Sequence, residues 1–339
     1  MRRSALQSWP ILAAALVLAA PACLRAQTGD VRGVHDPAVI QQGGTYYLFT
    51  TGRGIPVRRS TDLVHWTMEG RVFPAGLPDW AQAAVPGTRF PWAPDISFFG
   101  GRYHLYYALS TFGKNGSVIG LATNATLDPA APDYHWKDEG RVLASVPGVS
   151  PFNAIDPNVA FDEAGRPWLA WGSFWGGIKM RRLDAATGKL SAGDTTTYSL
   201  AARAGVDAVR GPSDRQSIEG PFIIRHGGYY WLFASFDMCC RGAESTYNVR
   251  VGRAEQITGP YLDADGVPMT QGGGTVVLSG VGRIRGPGHN AVLVDGDRDW
   301  FVHHFYDADE RGVSKLQIRP LTWTKSGWPV VGDPITPVE

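Results

Sequence analysis

Cysteine is scarce in this chain and charge of one sign does not accumulate. Only 3 cysteines occur in 339 residues, and 32 Lys and Arg against 31 Asp and Glu leave a net charge of +1. Without a basic excess there is no electrostatic footprint for a polyanion, so no nucleic-acid partner is expected. Two of the cysteines, Cys239 and Cys240, are adjacent and have no spaced partners nearby, which excludes a zinc framework. They could form a vicinal disulfide or remain thiols. The chain also lacks a phosphate-binding P-loop, a dinucleotide fingerprint placed between a strand and a helix, an HExxH pair and a GxSxG nucleophile elbow. The triplet Gly272 to Gly274 has no lysine after it and reads as a turn.

Long apolar runs are missing too, except at the N-terminus. There Arg2 and Arg3 precede an apolar run from Ile11 to Leu18, the layout of a secretory signal with cleavage after Ala26. The stretch "APAC" ending at Cys23 is a poor lipoprotein box, so export to the periplasm or medium without a lipid anchor is expected. No later run reaches membrane-spanning length.

What is abundant is turn formers and aromatics: 42 Gly, 24 Pro and 12 Trp, with 44% hydrophobic residues overall. Long 3.6-residue periodicity is nearly absent. Short alternating runs between Gly, Pro, Asp and Asn predict an all-β chain. Five of its segments resemble one another: "HDPAVIQQGGTYYLFTTG" from His35, "WAPDISFFGGRYHLYYALS" from Trp92, "IDPNVAFDEAGRPWLAWGSF" from Ile155, "IEGPFIIRHGGYYWLFASFD" from Ile218 and "GPGHNAVLVDGDRDWFVHHFYDA" from Gly286. "QQGGTYY", "FFGGRYH" and "RHGGYYW" are near-identical hairpin turns. The spacing leaves room for four short strands per unit. A five-bladed β-propeller over residues 33–339 is therefore expected, with a pair of β-sandwiches as the alternative. The polar stretches near Val57, Val118 and Val249 read as edge strands.

In a propeller, the first strand of each blade lines the axis, so residues opening those strands converge. Aligning the units puts Asp36, Asp156, Glu219 and His289 at one mouth, with Trp92 or Asp95 from the second blade. Glycoside hydrolysis needs such a set: one carboxylate ionised as base or nucleophile, another protonated to donate to the leaving oxygen. A third carboxylate would raise the donor's pKa by like-charge repulsion. Two Asp-Pro pairs are equally explained as repeated turns. Glu219 breaks that symmetry, and spacing alone does not decide.

The stretches "HDP", "WAPD", "STFGKNGSVIGLAT", "NAIDPN", "WGSFWGGIK", "IEGPF", "SFDMCCRG", "TYNVRVGR" and "GPGHN" do carry a specific resemblance. From about Val34 to Val330 the chain resembles glycoside hydrolase family 43, in its endo-α-1,5-L-arabinanase branch. That resemblance implies a five-bladed propeller, inversion at the anomeric carbon, Asp36 as general base, Glu219 as general acid and Asp156 as the residue that tunes and orients the acid. It implies that His289 helps hold a calcium ion in the channel, mostly through waters. Trp92, Phe112 and Trp175 could stack on or line a furanose groove. Asn153 and Ser173 could bond sugar hydroxyls, and Gly113 allows close backbone approach. Expected partners are arabinan or arabino-oligosaccharides, and a monomer is expected. The alternatives are an exo-acting arabinofuranosidase or β-xylosidase on the same scaffold, and a carbohydrate-binding propeller without catalysis.

Overall fold

The computed structural model describes residues 27–203 and 216–335. The signal segment, residues 1–26, lies outside the described residues.

Strand β1 (Thr28–Gly29) is followed by the first blade, β2 (Ala38–Gln42), β3 (Thr45–Phe49), β4 (Pro56–Ser60) and β5 (His65–Arg71). A short helix α1 (Trp80–Ala84) leads to the second blade, β6 (Trp92–Phe99), β7 (Arg102–Leu109), β8 (Ser117–Asn124) and β9 (Lys137–Ser145). The third contains β10 (Asn158–Phe161), β11 (Pro167–Trp171), β12 (Ile178–Arg182) and β13 (Tyr198–Ala201). The fourth contains β14 (Ile218–His226), β15 (Tyr229–Phe236), β16 (Asn248–Ala254) and β17 (Thr275–Ser279). The fifth contains β18 (Ile284–Asp295), β19 (Arg298–Asp307), β20 (Val313–Trp323) and β21 (Pro329–Val331). Each sheet is antiparallel in chain order, and β1 adds to the outer edge of the first blade, parallel to β5. This is a five-bladed β-propeller.

The repeated Gly-Gly turns do what their sequence predicts. Gln42 faces Thr45, Phe99 faces Arg102 and His226 faces Tyr229, so each loop has two residues. Both glycines of every loop have positive φ, the backbone of the type I′ turn that matches strand twist.

Side-chain alternation decides between a propeller and paired sandwiches. On β3, Tyr46 and Leu48 point to the core shared with the fifth blade, while Tyr47 and Phe49 point to the core shared with the second. Buried residues form five such clusters, one between each pair of neighbouring sheets. Leu48 and Phe49 are both fully buried, and each such side chain contributes about 1.5–3 kcal/mol. Two faces per sheet, each covered by a different sheet, is radial packing.

The ring closes on the outer edge of the fifth blade. The lower part of β20 pairs with β21, and the chain continues along it through Gly332 N to Pro320 O (2.8 Å) and Ile335 N to Ile318 O (2.9 Å). The N-terminal segment completes the same edge, with Leu316 N donating to Val31 O (3.0 Å) and Gly33 N to Ser314 O (2.8 Å). Both ends of the described residues thus share one row, and strand β1 begins at Thr28, ahead of Gly33.

The polar stretches near Val118 and Val249 do not form edges. They form β8 and β16, the third strands of their blades, and every residue of β8 is buried. The stretch near Val57 spans β4 and β5.

Candidate active site

One cavity of about 760 Å³ opens at the mouth of the axis and draws lining residues from all five blades. Asp36, Asp156, Glu219 and His289 all line it, as do Trp92, Phe112, Gly113, Asn153, Ser173 and Trp175. Residues more than a hundred positions apart are brought together because the first strand of every blade begins here.

The entry to each inner strand has a common backbone. Asp36, Ala93, Asp156, Gly220 and His289 all have φ between 42° and 58°. Left-handed backbone at a non-glycine residue costs on the order of 1–3 kcal/mol and persists only where surroundings enforce it. Four of the five residues precede proline and the fifth precedes Asn290. This settles the register. Gly220, not Glu219, is the counterpart of Asp36 and Asp156, and Ala93 is the counterpart in the second blade. Glu219 stands one residue earlier, at the place that His35, Trp92, Ile155 and Gly288 hold in the other blades. Glu219 therefore enters from a different position than the two aspartates, which the alignment on carboxylates obscures.

Asp36 is held on both oxygens. Thr51 Oγ1 accepts the Ala93 N–H (2.7 Å), so its own hydrogen is directed to Asp36 Oδ2 at 2.5 Å. His35 Nδ1 lies 2.8 Å and His289 Nδ1 3.2 Å from Asp36 Oδ1. Burial alone would push this carboxyl up. The adjacent His35 and His289, with the His35 hydrogen bond, outweigh burial and hold it well below the ordinary carboxylate range. His304 Nδ1 sits 3.8 Å from the same oxygen, but it accepts the Asp36 N–H (3.1 Å) and burial keeps its ring neutral, so this is not an ion pair.

Glu219 is placed the opposite way. Burial is the main cause that raises it, to about 7; the Ser173 hydrogen bond opposes and the Asp36 charge adds. Ser173 Oγ donates to Oε2 at 2.6 Å and the Tyr247 hydroxyl to Oε1. Asp156 is raised well above its ordinary value by burial and then by the charges of Glu219 and Asp36. Its Oδ2 accepts the Gly220 N–H at 3.1 Å, which ties it to the backbone next to the acid. Asp156 and Glu219 thus resist simultaneous ionisation and titrate as a pair.

Two glycines make this packing possible. A Cβ on Gly288 would stand 2.3 Å from Tyr247 Cδ2, and one on Gly220 would stand 3.1 Å from His289 Nδ1.

The expected sugar contacts separate into three groups. Phe112 is 77% exposed at the rim, beside Gly113, which suits a platform for a ring. Trp92 is half-buried, and Trp175 is buried. Asn153 and Ser173 spend their side chains on the protein: Asn153 accepts from Ser117 Oγ (2.6 Å) and donates to Lys114 O (3.3 Å), and Ser173 serves Glu219. His35, Thr51 and Tyr247 were not singled out by the sequence. His35 and Tyr247 do fall inside the "HDP" and "TYNVRVGR" stretches.

The residues can be tested against a calcium ion. Calcium takes six to eight oxygen ligands. Among the described residues, the group of ligand atoms within 4.8 Å of one another is His35, Asp36 and His304, two imidazoles to one carboxylate, with His289 also on Asp36. That set is no oxygen cage. It does fit an ion that keeps its waters: Nε2 of His304 is buried without a hydrogen-bond partner, and such an atom calls for water.

Comparison with known proteins agrees with this geometry. The model of the Glycosyl hydrolases family 43 matches residues 31–329. The chain belongs to this family. An extracellular exo-α-(1→5)-L-arabinofuranosidase, ArbA, of Cellvibrio japonicus is 42% identical, over 96% of this chain and 92% of its own. An extracellular endo-α-(1→5)-L-arabinanase of Bacillus subtilis is 41% identical over 87% of each. Among solved structures, the Cellvibrio cellulosa α-L-arabinanase complexed with arabinohexaose superposes with a TM-score of 0.84 at 43% identity, covering 88% of this chain and 95% of that one. A family 43 endo-arabinanase from Bacillus licheniformis gives 0.80 at 43% identity, covering 90% and 99%. The family match supports a glycoside hydrolase.

Proposed function

We propose that this protein is an exported hydrolase of α-1,5-linked arabinan that works by single displacement with inversion. The observation that carries the reading is the opposed environment of two carboxyls in one cavity: Asp36 is held ionised by Thr51 and His35, and Glu219 is buried and kept protonated. Asp36 takes a proton from water as its oxygen bonds to the anomeric carbon. The bond from that carbon to the leaving oxygen breaks, and Glu219 gives its proton to that oxygen. Inversion asks for roughly 6.5–9.5 Å between acid and base, and their origin in different blades suits such a gap. Asp156 orients the acid through the Gly220 amide. His289 would hold a hydrated calcium ion, which supplies fixed positive charge in the channel when bound.

The arabinan substrate rests on the named activities of the relatives, and export on their extracellular description together with the sequence before Gln27. Endo action is the first reading, because the Bacillus subtilis relative is named an endo-arabinanase. Exo action is the second reading, because one similar relative is an exo-enzyme. Time-resolved product sizes from linear arabinan test the choice. Early mixed oligosaccharides support endo cutting, and a single short product from the start supports exo cutting.

A further inference from the structure

Cys239 and Cys240 are joined as a vicinal disulfide in the loop after β15, and both line the cavity. The reaction above gives them no part. Their surroundings do. Cys240 N–H donates to the Tyr306 hydroxyl at 2.9 Å, and Cys240 Sγ lies 3.9 Å from that hydroxyl and 3.9 Å from His35 Nε2. The Tyr306 hydroxyl lies 2.7 Å from His35 Nε2. His35 Nδ1 then reaches Asp36 Oδ1 at 2.8 Å. A continuous path runs from the fourth blade through the fifth to the carboxylate of the first.

The path fixes the His35 ring at both nitrogens. Whether Nε2 receives the Tyr306 proton or donates its own, Nδ1–H remains on Asp36. The ring is also stacked on His304, with centroids 4.0 Å apart, and His304 accepts the Asp36 N–H. The far end of this arrangement is Tyr306, which also meets the Ser245 side chain. Its hydroxyl is located by the Cys240 amide, which has left-handed backbone at φ 65°. The covalent link to the preceding residue holds that amide in place.

We propose that His35 and Tyr306 are positioning residues for Asp36, and that the Cys239–Cys240 disulfide anchors them by fixing the amide that Tyr306 receives. The inference rests on the reading of Asp36 as the base. It predicts a loss in kcat with KM nearly unchanged, because the water-activating group is misaligned while the sugar-binding wall stays.

The test is a double-mutant cycle on the full chain with linear arabinan. Tyr306→Phe and the Cys239→Ser/Cys240→Ser pair should each lower kcat by about 3- to 10-fold, the scale of one hydrogen bond. Combining them should lower it no further than the worse of the two. Multiplying losses, unchanged kcat, or a raised KM at constant kcat would each overturn the inference. If Tyr306→Phe loses its fold by melting, His35 supplies the readout. His35→Asn keeps an N–H near Asp36 and should recover most of what His35→Ala loses; an Asn variant no better than Ala overturns the inference. Asp36→Asn separates the two levels. Full activity there removes the base reading itself, whereas an inactive Asp36→Asn beside normal Tyr306 and cysteine variants removes only the positioning inference.

Discussion

The ring of Tyr247 lies so close over Gly288 that a methyl group there would stand 2.3 Å from Tyr247 Cδ2. Tyr247 in turn donates to Glu219. A glycine on the fifth blade thereby decides where the acid of the fourth blade is held. Gly288→Ala should displace the tyrosine and cost about 1–3 kcal/mol, as overpacking does. Expected is a drop in kcat on arabinan larger than any drop explained by melting temperature. Unchanged kcat would show that the Tyr247 contact is dispensable.

Thr51 offers a cleaner substitution. Its hydroxyl is committed by the Ala93 amide to donate to Asp36. Thr51→Val keeps the shape and removes the donor. A hydrogen bond to a charged group contributes about 1.5–3 kcal/mol, so kcat should fall roughly 10- to 100-fold, and Thr51→Ser should restore it. Steady-state kinetics of the two variants side by side check this.

The pH dependence has a defined sign. In the proposed mechanism Glu219 must be protonated to donate, and burial raises it from 4.5 to about 7. The alkaline limb of kcat/KM should therefore fall as pH rises through about 7, not through the ordinary glutamate range. The Ser173 hydrogen bond favours the charged form, so Ser173→Ala should move that limb to higher pH. A pH series on both proteins checks it, and a limb that moves down would contradict the placement.

Phe112 should matter for chains and not for chemistry. It lines the cavity and stands exposed, whereas Asp36 and Glu219 are buried. If a sugar ring covers it, Phe112→Ala should raise KM for linear arabinan by about tenfold and leave the rate on a short aryl arabinofuranoside unchanged. Equal effects on both substrates would place Phe112 at the bond being cut.

The architecture was legible because its signals are local and repeated. Three Gly-Gly hairpins and a Pro at the head of most units are enough to count blades. The three carboxylates were legible because each heads a repeat. Their register was not, since aligning acid with acid hides a one-residue offset that only the left-handed backbone of Gly220 reveals. Thr51 and Tyr247 escaped for another reason: each reaches the carboxylate of its own blade from beside a later strand, and aligning the heads of the first strands does not show that. Asn153 and Ser173 were correctly placed at the cavity, but their type does not say whether a sugar or a neighbouring side chain takes the hydrogen bond. The disulfide was open in sequence because two adjacent cysteines fit either state.

The division of labour between Asp36 and Glu219 is most directly tested by leaving-group dependence. The measurement is kcat/KM of Glu219→Gln and Asp36→Asn on linear arabinan and on an arabinofuranobioside carrying dinitrophenolate, which departs without a proton. Glu219→Gln should lose hydrolysis of arabinan by several orders of magnitude yet keep much of its rate on the activated glycoside, while Asp36→Asn should fail on both. Equal loss of both substrates in Glu219→Gln, or a reversed pattern between the two variants, would contradict the assignment.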